Sequence, residues 1–268
     1  MQIRGRVFVV AGAGNGIGRE VTLTLLARGA RVAAVDLSEA GLTETADRAR
    51  AGDRLTIIPV DLTDRAAVLA LPSTVVAAQG QVDGLINLAG IVHAFKPIAD
   101  LGFEDIERVM AVNFWGIVNT TKAFLPLLEA RPASSLVNVA SMGSLVPFPG
   151  QGAYGASKAA VKLFTEGLIA EHQSGPLTVT VVFPGGIATN ILGNSGVDAR
   201  GVGADQAEAA AKLTSPEEAA RQIVDAVVTG APRVTIGKDA RMLDRMSRLM
   251  PARAIPLIAK KMRDLVKQ

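Results

Sequence analysis

The sequence predicts a doubly wound α/β fold: a seven-stranded parallel sheet with helices on both faces, in a single domain. Seven short apolar runs rich in β-branched residues alternate with amphipathic stretches of helical length. Strands that are apolar throughout and separated by helices are typical of a parallel sheet covered on both faces. A glycine-rich turn between the first run and the first helical stretch also indicates this fold class. The predicted strands lie at 7–10, 31–36, 55–60, 85–87, 136–139, 179–183 and 234–236.

The stretches between these runs are long enough to form helices, most clearly at 18–28, 103–130 and 154–173. Segment 187–214 breaks the alternation because it is rich in Gly, Ala, Asn and Asp. We expect a long loop there with a short helix, of the kind that forms a substrate lid. The next helix has a clear start, with Ser215 as N-cap, Pro216 in the first helical position and acidic residues in the first turn.

Residues 238–268 follow the predicted catalytic domain, 1–237, as a basic amphipathic helical tail. The tail holds nine Lys or Arg residues and three Asp residues. We expect its apolar stripes to pack on the body of the protein or on a second subunit, with the basic side chains in water. The alternative is a surface helix that makes a peripheral contact with an anionic membrane or covers the mouth of a lipophilic site. The stripes consist of Met242, Met246, Leu249 and Met250, then Ile255, Ile258, Met262 and Leu265.

The composition excludes several classes of chemistry. The 268 residues include no cysteine, so disulfides, thiolate metal sites and a cysteine nucleophile are ruled out. Only His93 and His172 could supply a histidine metal site, and we expect no metal. A net charge of +3 does not indicate a nucleic-acid partner. No apolar run reaches the about 18 residues of a membrane span. The short apolar start at 7–10 is better explained by a nucleotide-binding turn than by a signal peptide, so we expect the cytoplasm as compartment.

The first predicted strand leads into a turn with glycines at Gly12, Gly16 and Gly18, which opens the first helix. Glycines permit a tight turn and let backbone N–H groups approach a pyrophosphate at the helix N-terminus. The second strand ends in Asp36, whose carboxylate would accept hydrogen bonds from a ribose 2′-OH and repel a 2′-phosphate. No basic residue stands beside it at 13, 15 or 37, so NAD is favoured over NADP. The simpler alternative is that Asp36 only caps a strand.

Tyr154 and Lys158 lie four residues apart in a predicted helix, and Ser141 lies thirteen residues upstream of the tyrosine. Positions i and i+4 share a helix face, so the phenol and the ammonium converge. A nearby cation favours the phenoxide form of a phenol whose ordinary pKa is about 10. The three groups could move a proton on or off an alcohol oxygen. An exposed tyrosine beside a solvated lysine is the simpler alternative for the pair taken alone.

With these motifs in order, the chain resembles the short-chain dehydrogenase/reductase family in its single-domain Rossmann form, from about residue 5 to residue 237. Two positions depart from the family pattern, since Ala11 stands where Thr is usual and Leu88 where a second Asn is usual. The matching segments are Gly12-x-x-x-Gly16-x-Gly18, Asp61-Leu62, Asn87-Leu88-Ala89-Gly90, Asn113, Ser141, Tyr154-x-x-x-Lys158 and Pro184-Gly185-Gly186-Ile187-Ala188-Thr189.

The resemblance implies an active site of four residues. Tyr154 would act as general base or acid, Lys158 would lower its pKa and bind the nicotinamide ribose, and Ser141 would orient the substrate oxygen. Asn113 would hold a water that links Lys158 to solvent. The cofactor contacts implied are Gly12, Asn15, Gly16, Ile17, Gly18, Asp36, Asp61, Leu62, Asn87, Ala89, Gly90, Tyr154, Lys158, Pro184, Gly185, Ile187 and Thr189.

The resulting prediction is an NAD-dependent oxidoreductase that interconverts a secondary alcohol and a ketone. Segment 142–153, which borders the substrate pocket in this family, holds no charged residue, so we expect a lipophilic substrate of steroid, terpenoid or fatty-chain type. One alternative is a reductase of 3-oxoacyl thioesters, which in most family members prefers the phosphorylated cofactor that Asp36 disfavours. An alternative from another class is a non-catalytic, NAD-binding regulatory protein.

Two further residues and the assembly state are less constrained. His93 follows the Asn-Leu-Ala-Gly turn, and we interpret it as a bystander, with a substrate contact as the alternative. Trp115 lies in the long fourth helix, which forms a dimer surface in the family, and we expect it to pack there. The resemblance implies a homodimer or a homotetramer.

Overall fold

The structure is a computed structural model that describes residues 1–197 and 213–261. Its seven strands form one sheet in the order β3-β2-β1-β4-β5-β6-β7, and every neighbouring pair is parallel. The predicted seven-stranded parallel sheet is therefore confirmed. The strands are β1 (Val7–Ala11), β2 (Arg31–Asp36), β3 (Leu55–Pro59), β4 (Gly84–Asn87), β5 (Ser134–Val139), β6 (Leu177–Pro184) and β7 (Arg233–Ile236).

The described helices cover both faces of the sheet. The helix after the expected lid begins as the sequence predicts: the Ser215 hydroxyl accepts a hydrogen bond from the Glu218 N–H at 3.1 Å, and Pro216 takes the first position. The helices are α1 (Gly16–Ala27), α2 (Glu39–Ala49), α3 (Arg65–Gln79), α4 (Phe103–Met110), α5 (Gly116–Glu129), α6 (Gly152–Glu171), α7 (Ile191–Asn194), α8 (Pro216–Thr229), α9 (Lys238–Leu249) and α10 (Pro251–Lys261).

The predicted long helix 103–130 contains a change of winding. A five-residue π-helical turn, Ala111–Trp115, separates α4 from α5. A π-turn adds a residue to the helical repeat and re-aims the side chains that follow, and such turns are frequent at functional sites. Asn113 lies in the middle of this turn and is fully buried.

Alternate residues of the strands point to opposite faces, which divides the core in two. On one face Phe8 and Val10 pack in a cluster with Val21 of α1 and Ile223 of α8. On the other face Val9 packs in a cluster with residues of α3, α5 and α6. Strands buried on both sides explain the uninterrupted apolar runs in the sequence.

The strand order reverses between β1 and β4, so the loops that follow these two strands diverge to opposite sides. In open α/β sheets a crevice forms at this point, beyond the carboxyl ends of the strands, and ligands bind there. The glycine turn follows β1, and the segment at Asn87–Gly90 follows β4. The fold therefore brings these two motifs to one place.

The segment expected to form a lid is described at its two ends. Ile187 and Thr214 form a parallel bridge, and the Ala188 N–H donates to the Thr214 carbonyl at 3.0 Å, so the ends are held together. The short helix α7 lies within the first part of the segment. Residues 198–212 lie outside the described residues, and the lid remains a prediction for them.

The described part of the tail folds back onto the body as α9 and α10. Leu243 of α9 and Ile258 of α10 are buried in a cluster with Val146, and Met142 and Phe148 pack against the same cluster. The inner faces of both helices thus cover segment 142–148. Met262 and Leu265 of the predicted stripe lie outside the described residues. Among residues 1–197 and 213–261, no helix has the length and apolar character needed to cross a bilayer.

Candidate active site

The glycine turn is shaped by two close approaches of the backbone. Gly12 has a φ of +92°, and a Cβ on it would lie 2.5 Å from the Ala89 nitrogen. A Cβ on Gly18 would lie 1.8 Å from the Gly12 carbonyl oxygen. A side chain at either position would push the turn away from β4 or from the start of α1. The turn therefore leaves the N-terminus of α1 exposed to the crevice, where the free N–H groups of the first turn can bind an anion.

Asp36 lies at the carboxyl end of β2 and is held by two backbone groups. One carboxylate oxygen accepts a hydrogen bond from the Gly14 N–H at 2.8 Å, and the other accepts from the Ser38 N–H at 2.9 Å. The carboxylate is therefore fixed at the rim of a cleft of about 410 Å³. Each carboxylate oxygen keeps a lone pair for a ribose hydroxyl. Predicted contacts that line this cleft are Gly12, Asn15, Gly16, Ile17, Gly18, Asp36, Asp61, Leu62, Ala89, Gly90 and Thr189.

Arg19 is a cation near the glycine turn that the sequence reasoning missed. Its guanidinium forms two hydrogen bonds of 2.7 Å with the Glu44 carboxylate and a third, of 2.6 Å, with the Gly14 carbonyl. The pKa of Glu44 lies below its usual value, chiefly because of the hydrogen bond from Arg19. A guanidinium so neutralised is a poor binder of a 2′-phosphate. The local sequence could not indicate this ion pair, because Glu44 is twenty-five residues away from Arg19.

The far wall of the cleft comes from the loop after β3. The Asp61 carboxylate accepts hydrogen bonds from the Thr63 N–H at 2.8 Å and from the Thr63 hydroxyl at 2.7 Å, which fixes the turn. The Leu62 carbonyl accepts a hydrogen bond from the Asn119 amide at 3.0 Å. Both residues line the cleft, where they could flank an adenine ring.

Asn87 was expected among the cofactor contacts, but it lines neither of the two clefts described here. Its amide donates to Asn138 at 2.8 Å, and its amide oxygen accepts from the Thr120 hydroxyl at 2.9 Å. Both ends of this buried side chain are used between β4, β5 and α5. The Asn87 side chain thus joins β4 to β5 and α5 behind the clefts, and its contact with the cofactor stays a prediction. Ala89 and Gly90 of the same motif line the first cleft.

A second cleft, of about 400 Å³, adjoins the first and contains the predicted catalytic residues. Tyr154 and Lys158 project from the first turns of α6 into it, and Ser141 faces them from the end of β5. The Ser141 hydroxyl accepts a hydrogen bond from the Gly143 N–H at 3.0 Å. Cofactor residues predicted at this end line the cleft as well, namely Pro184, Gly185, Ile187 and Thr189.

Burial sets the electrostatics of this pair. Desolvation lowers the pKa of Lys158 from 10.5 to about 8. The Lys158 ammonium donates to the Val139 carbonyl at 3.1 Å, which fixes its direction. Burial also raises the pKa of the Tyr154 phenol, and a hydrogen bond with Ser141 opposes that rise. Desolvation outweighs this hydrogen bond, and the lowering of the Tyr154 pKa by Lys158 stays a prediction.

Asn113 connects the π-turn to both neighbouring elements. Its amide donates to the Ile91 carbonyl at 2.9 Å and to the Ser157 hydroxyl at 3.0 Å, while its oxygen accepts from the Ile91 N–H at 2.8 Å. A Cβ on Gly90 would lie 3.0 Å from the Lys158 nitrogen and 3.4 Å from the Asn113 oxygen. Gly90 therefore leaves the space through which these two side chains approach one another.

The segment after β6 is anchored by the tail. The Gly186 N–H donates to the Asp239 carboxylate at 2.7 Å, and the Gly185 N–H donates to the Ile236 carbonyl at 2.8 Å. A Cβ on Gly185 would lie 2.1 Å from an Asp239 oxygen, and one on Gly237 would lie 2.4 Å from it. Sequence reasoning missed Asp239, because nothing local distinguishes it from the other acidic residues of a basic helix.

Helix α7 closes one side of both clefts. The Asn194 amide donates to the Asn15 side chain at 2.9 Å, across the glycine turn. The Ser195 hydroxyl accepts from the Val92 N–H at 3.0 Å, beyond the Asn-Leu-Ala-Gly segment. Ile191 lines both clefts. These contacts join the first part of the expected lid to the loops after β1 and β4.

His93 and Trp115 lie outside the clefts. The His93 ring is fully buried, and its Nδ1 lies 2.7 Å from the Ala94 carbonyl. Its ring does not line the second cleft, which agrees with the bystander interpretation. Trp115 is 47% exposed and lies edge-on to Phe114, with the Arg65 guanidinium 5.7 Å above its ring.

Comparisons with known proteins identify the family. Residues 6–200 match the family model described as short chain dehydrogenase. The SadH protein of Mycobacterium tuberculosis, named as an oxidoreductase, is 40% identical over 267 residues, which cover 95% of this chain and 94% of SadH. This chain therefore belongs to the short-chain dehydrogenase family, whose members are oxidoreductases that bind NAD or NADP.

Solved structures agree with this fold and differ in cofactor. A short-chain dehydrogenase/reductase from Burkholderia phymatum in complex with NAD matches with a TM-score of 0.82 and 25% identity, over 92% of this chain and 94% of that one. A short-chain dehydrogenase from Burkholderia cenocepacia in complex with NADP matches with a TM-score of 0.81 and 27% identity, over 96% of this chain and 99% of that one. The choice of cofactor therefore depends on the residues of this chain.

Proposed function

We propose that this protein is an NAD-dependent oxidoreductase that interconverts a lipophilic secondary alcohol and its ketone. The observation that carries the proposal is the pair of adjoining clefts. Ile17, Leu88, Gly90 and Thr189 line both, so one continuous groove extends from Asp36 to Tyr154. The groove has a carboxylate at one end, a helix N-terminus in the middle and a proton donor at the other end. These residues fit a dinucleotide with an unphosphorylated ribose.

The preference for NAD rests on Asp36 and Arg19. The Asp36 carboxylate, fixed by Gly14 and Ser38, would accept hydrogen bonds from the ribose hydroxyls. A 2′-phosphate placed there would meet a negative charge, and Arg19 is already neutralised by Glu44. Bound NAD would accept or supply the hydride, and the protein would supply position and proton transfer.

In the oxidation, the alcohol proton would move to the Tyr154 phenoxide while the carbinol hydrogen would pass as hydride to bound NAD, so the product would be a ketone. Ser141 is proposed to hold the substrate oxygen and to stabilise its developing charge. Lys158 is proposed to hold the nicotinamide ribose and to pass the proton onward. Asn113 is proposed to position the water through which Lys158 exchanges protons with solvent, because its side chain is fixed by hydrogen bonds to Ile91 and Ser157.

The lipophilic substrate is supported by the walls of the second cleft. Beyond the catalytic groups they are mostly apolar, and the tail helices pack against the back of the same wall. A pocket of this kind removes apolar surface from water and stabilises a bulky apolar alcohol by about 25 cal/mol per Å² buried. The apolar side chains that line it are Val92, Phe95, Met142, Phe148, Ile191 and Leu192.

We also infer a homodimer that pairs through α4 and α5. Phe103 begins α4, and Trp115 ends the π-turn between α4 and α5. Their side chains are 80% and 47% exposed in the single chain. Large aromatic side chains that are exposed in a single chain are typical of interface cores. Light scattering should give twice the chain mass for the wild type and a smaller mass for Trp115→Glu. An unchanged mass in that variant would contradict pairing through this surface.

The function is tested by following NADH absorbance across a panel of secondary alcohols, with NAD and NADP in parallel. We expect turnover with NAD, and higher kcat/KM for bulky apolar alcohols than for small polyols. Turnover only with NADP, or only on 3-oxoacyl thioesters, would overturn the proposal in favour of the thioester reductase. NAD binding without turnover on any substrate would favour the regulatory role.

A further inference from the structure

The tail helices α9 and α10 bury one face and present the other to solvent. Ala240 and Leu243 of α9, and Ala254 and Ile258 of α10, face the body. The outer faces carry large apolar side chains that remain more than half exposed, among them Leu249 at 79% and Ile255 at 54%. The outer face of a surface helix normally carries polar side chains. The exposed apolar side chains of α9 and α10 therefore indicate a surface that another molecule can cover.

Cations share the outer face with these apolar side chains. At about 100° per residue, Arg241, Arg245 and Arg248 fall within the same arc of α9 as Met242 and Leu249. All five are exposed. On α10, Arg253 and Lys260 fall within the same arc as Leu257, and all three are exposed. The outer surface is therefore apolar and positively charged together.

The acidic residues of the described tail are directed to the body. The Asp239 carboxylate accepts a hydrogen bond from the Gly186 N–H at 2.7 Å. The Asp244 carboxylate lies 2.6 Å from the Arg233 guanidinium at the edge of the sheet, and Arg248 also reaches it, at 3.2 Å. Asp239 and Asp244 thus stabilise the fold, and the charged side chains exposed on the outer faces of α9 and α10 are basic.

We propose that the outer surface of α9 and α10 binds the surface of an anionic phospholipid bilayer. Helices that lie in a membrane interface combine an apolar stripe with Lys and Arg, and each basic residue near an anionic surface adds to the attraction. A second copy of this chain is a poorer occupant. A two-fold interface would place the cations of one copy against those of the other.

The proposed membrane-binding surface lies close to the substrate pocket, and its relation to catalysis rests on the proposed function. The inner faces of α9 and α10 pack on Met142 and Phe148, and these two side chains also line the second cleft. A bilayer bound to the outer face would lie one helix layer from the substrate pocket. A lipophilic alcohol dissolved in the bilayer would then be concentrated near the cleft.

Co-sedimentation of the full-length protein with vesicles tests the binding. One set contains phosphatidylcholine alone, and the other contains about one third phosphatidylglycerol. We expect sedimentation with the anionic vesicles only, and loss of binding at about 1 M salt, where charges are screened beyond about 3 Å. Equal sedimentation with both vesicle types, or none with either, would overturn the proposal.

Two variants locate the surface. Arg241→Glu/Arg245→Glu should weaken binding to anionic vesicles at least about tenfold, because two charges are reversed at the bilayer. Arg4→Glu/Arg48→Glu makes the same charge change at two exposed positions away from the tail and should leave binding unchanged. Equal weakening by both variants would show that net charge alone decides, which overturns the assignment of the surface. A change in oligomeric mass in the first variant only would indicate a second copy as the occupant.

Turnover separates this proposal from the proposed function. With a water-soluble alcohol, Arg241→Glu/Arg245→Glu should keep wild-type kcat/KM, and only turnover of an alcohol carried in anionic vesicles should fall. If no alcohol is turned over by the wild type, the proposed function fails. The sedimentation result would still decide whether the surface binds the bilayer.

Discussion

The Asp239 carboxylate accepts a hydrogen bond of 2.7 Å from the Gly186 backbone N–H, so the tail of the chain holds the loop that follows β6. The glycines at 185, 186 and 237 leave the space for that carboxylate, since a Cβ at each would lie within 3.5 Å of it. In the proposed function this loop contacts the nicotinamide. The tail and the cofactor site are therefore joined through one side chain.

Asp239→Ala should loosen that loop without unfolding the protein. The Gly186 N–H would lose its acceptor, a change that costs about 1–3 kcal/mol when the group stays buried. We expect kcat/KM for NAD to fall about tenfold. Asp239→Asn keeps an acceptor oxygen and should restore most of the activity.

Asp244→Ala is the matched control for Asp239→Ala, because it removes a carboxylate from the same helix that pairs with Arg233 and Arg248. It should lower the melting temperature and leave kcat/KM for NAD near the wild-type value. A similar loss of kcat/KM in Asp239→Ala and Asp244→Ala would show that Asp239 acts only by stabilising α9.

Asp36→Asn should shift the choice of cofactor. The amide still accepts one hydrogen bond from the turn but no longer repels a phosphate, so the ratio of kcat/KM for NADP to that for NAD should rise by at least about tenfold. Adding Leu37→Arg, at an exposed position that also lines the cleft, should raise it further.

The control for Asp36→Asn is Asp53→Asn, which removes a negative charge from a residue that lines neither described cleft. It should leave the cofactor ratio unchanged. A wild-type protein that already prefers NADP would contradict the role given to Asp36.

Lys158 should make the protein less stable at neutral pH than at alkaline pH. Its folded pKa of about 8 lies below the ordinary value of 10.5, so the folded state resists protonation more than the unfolded state does. The cost is fully present below pH 8 and fades as the pH rises toward 10.5. Between about pH 7 and pH 10 this group alone should add about 2 kcal/mol to the free energy of unfolding.

Denaturant unfolding across that pH range measures the effect, with Lys158→Met as the comparison. In Lys158→Met, the free energy of unfolding should not show the rise with pH that Lys158 causes, and turnover should be lost. An identical pH dependence in the two proteins would show that Lys158 is not buried in its charged form.

Phe148→Ala should change the substrate preference. The phenyl ring lines the second cleft and packs against the tail cluster, so its removal opens the apolar wall. We expect kcat/KM for bulky apolar alcohols to fall about tenfold or more, and kcat/KM for a small alcohol to change little. Equal losses for both alcohols would indicate a damaged fold rather than an altered pocket.

Much of this architecture could be predicted from local sequence. Continuous apolar runs indicated the strands, because a sheet covered on both faces needs apolar residues throughout. The Ser215 cap and the glycine turn were also visible, since each depends on a few consecutive residues. The positions of Ser141, Tyr154 and Lys158 in one cleft follow from the same fold.

The contacts that escaped prediction join residues far apart in the chain. Arg19 pairs with Glu44, and the Asp239 carboxylate accepts from the Gly186 backbone N–H, and in both cases only the fold makes the two residues partners. The partners of Asn87 were hidden for the same reason. It lies in a cofactor motif, but its side chain is used by Asn138 and Thr120 on the neighbouring elements.

The most direct test of the central claim compares the wild type with Tyr154→Phe on a bulky apolar secondary alcohol and NAD. NADH absorbance gives the turnover, and a separate titration gives the dissociation constant for NADH. The account predicts that the variant binds NADH within about a factor of two of the wild type and turns over at least about a hundredfold more slowly, because a general base is missing. Wild-type turnover in Tyr154→Phe would contradict it.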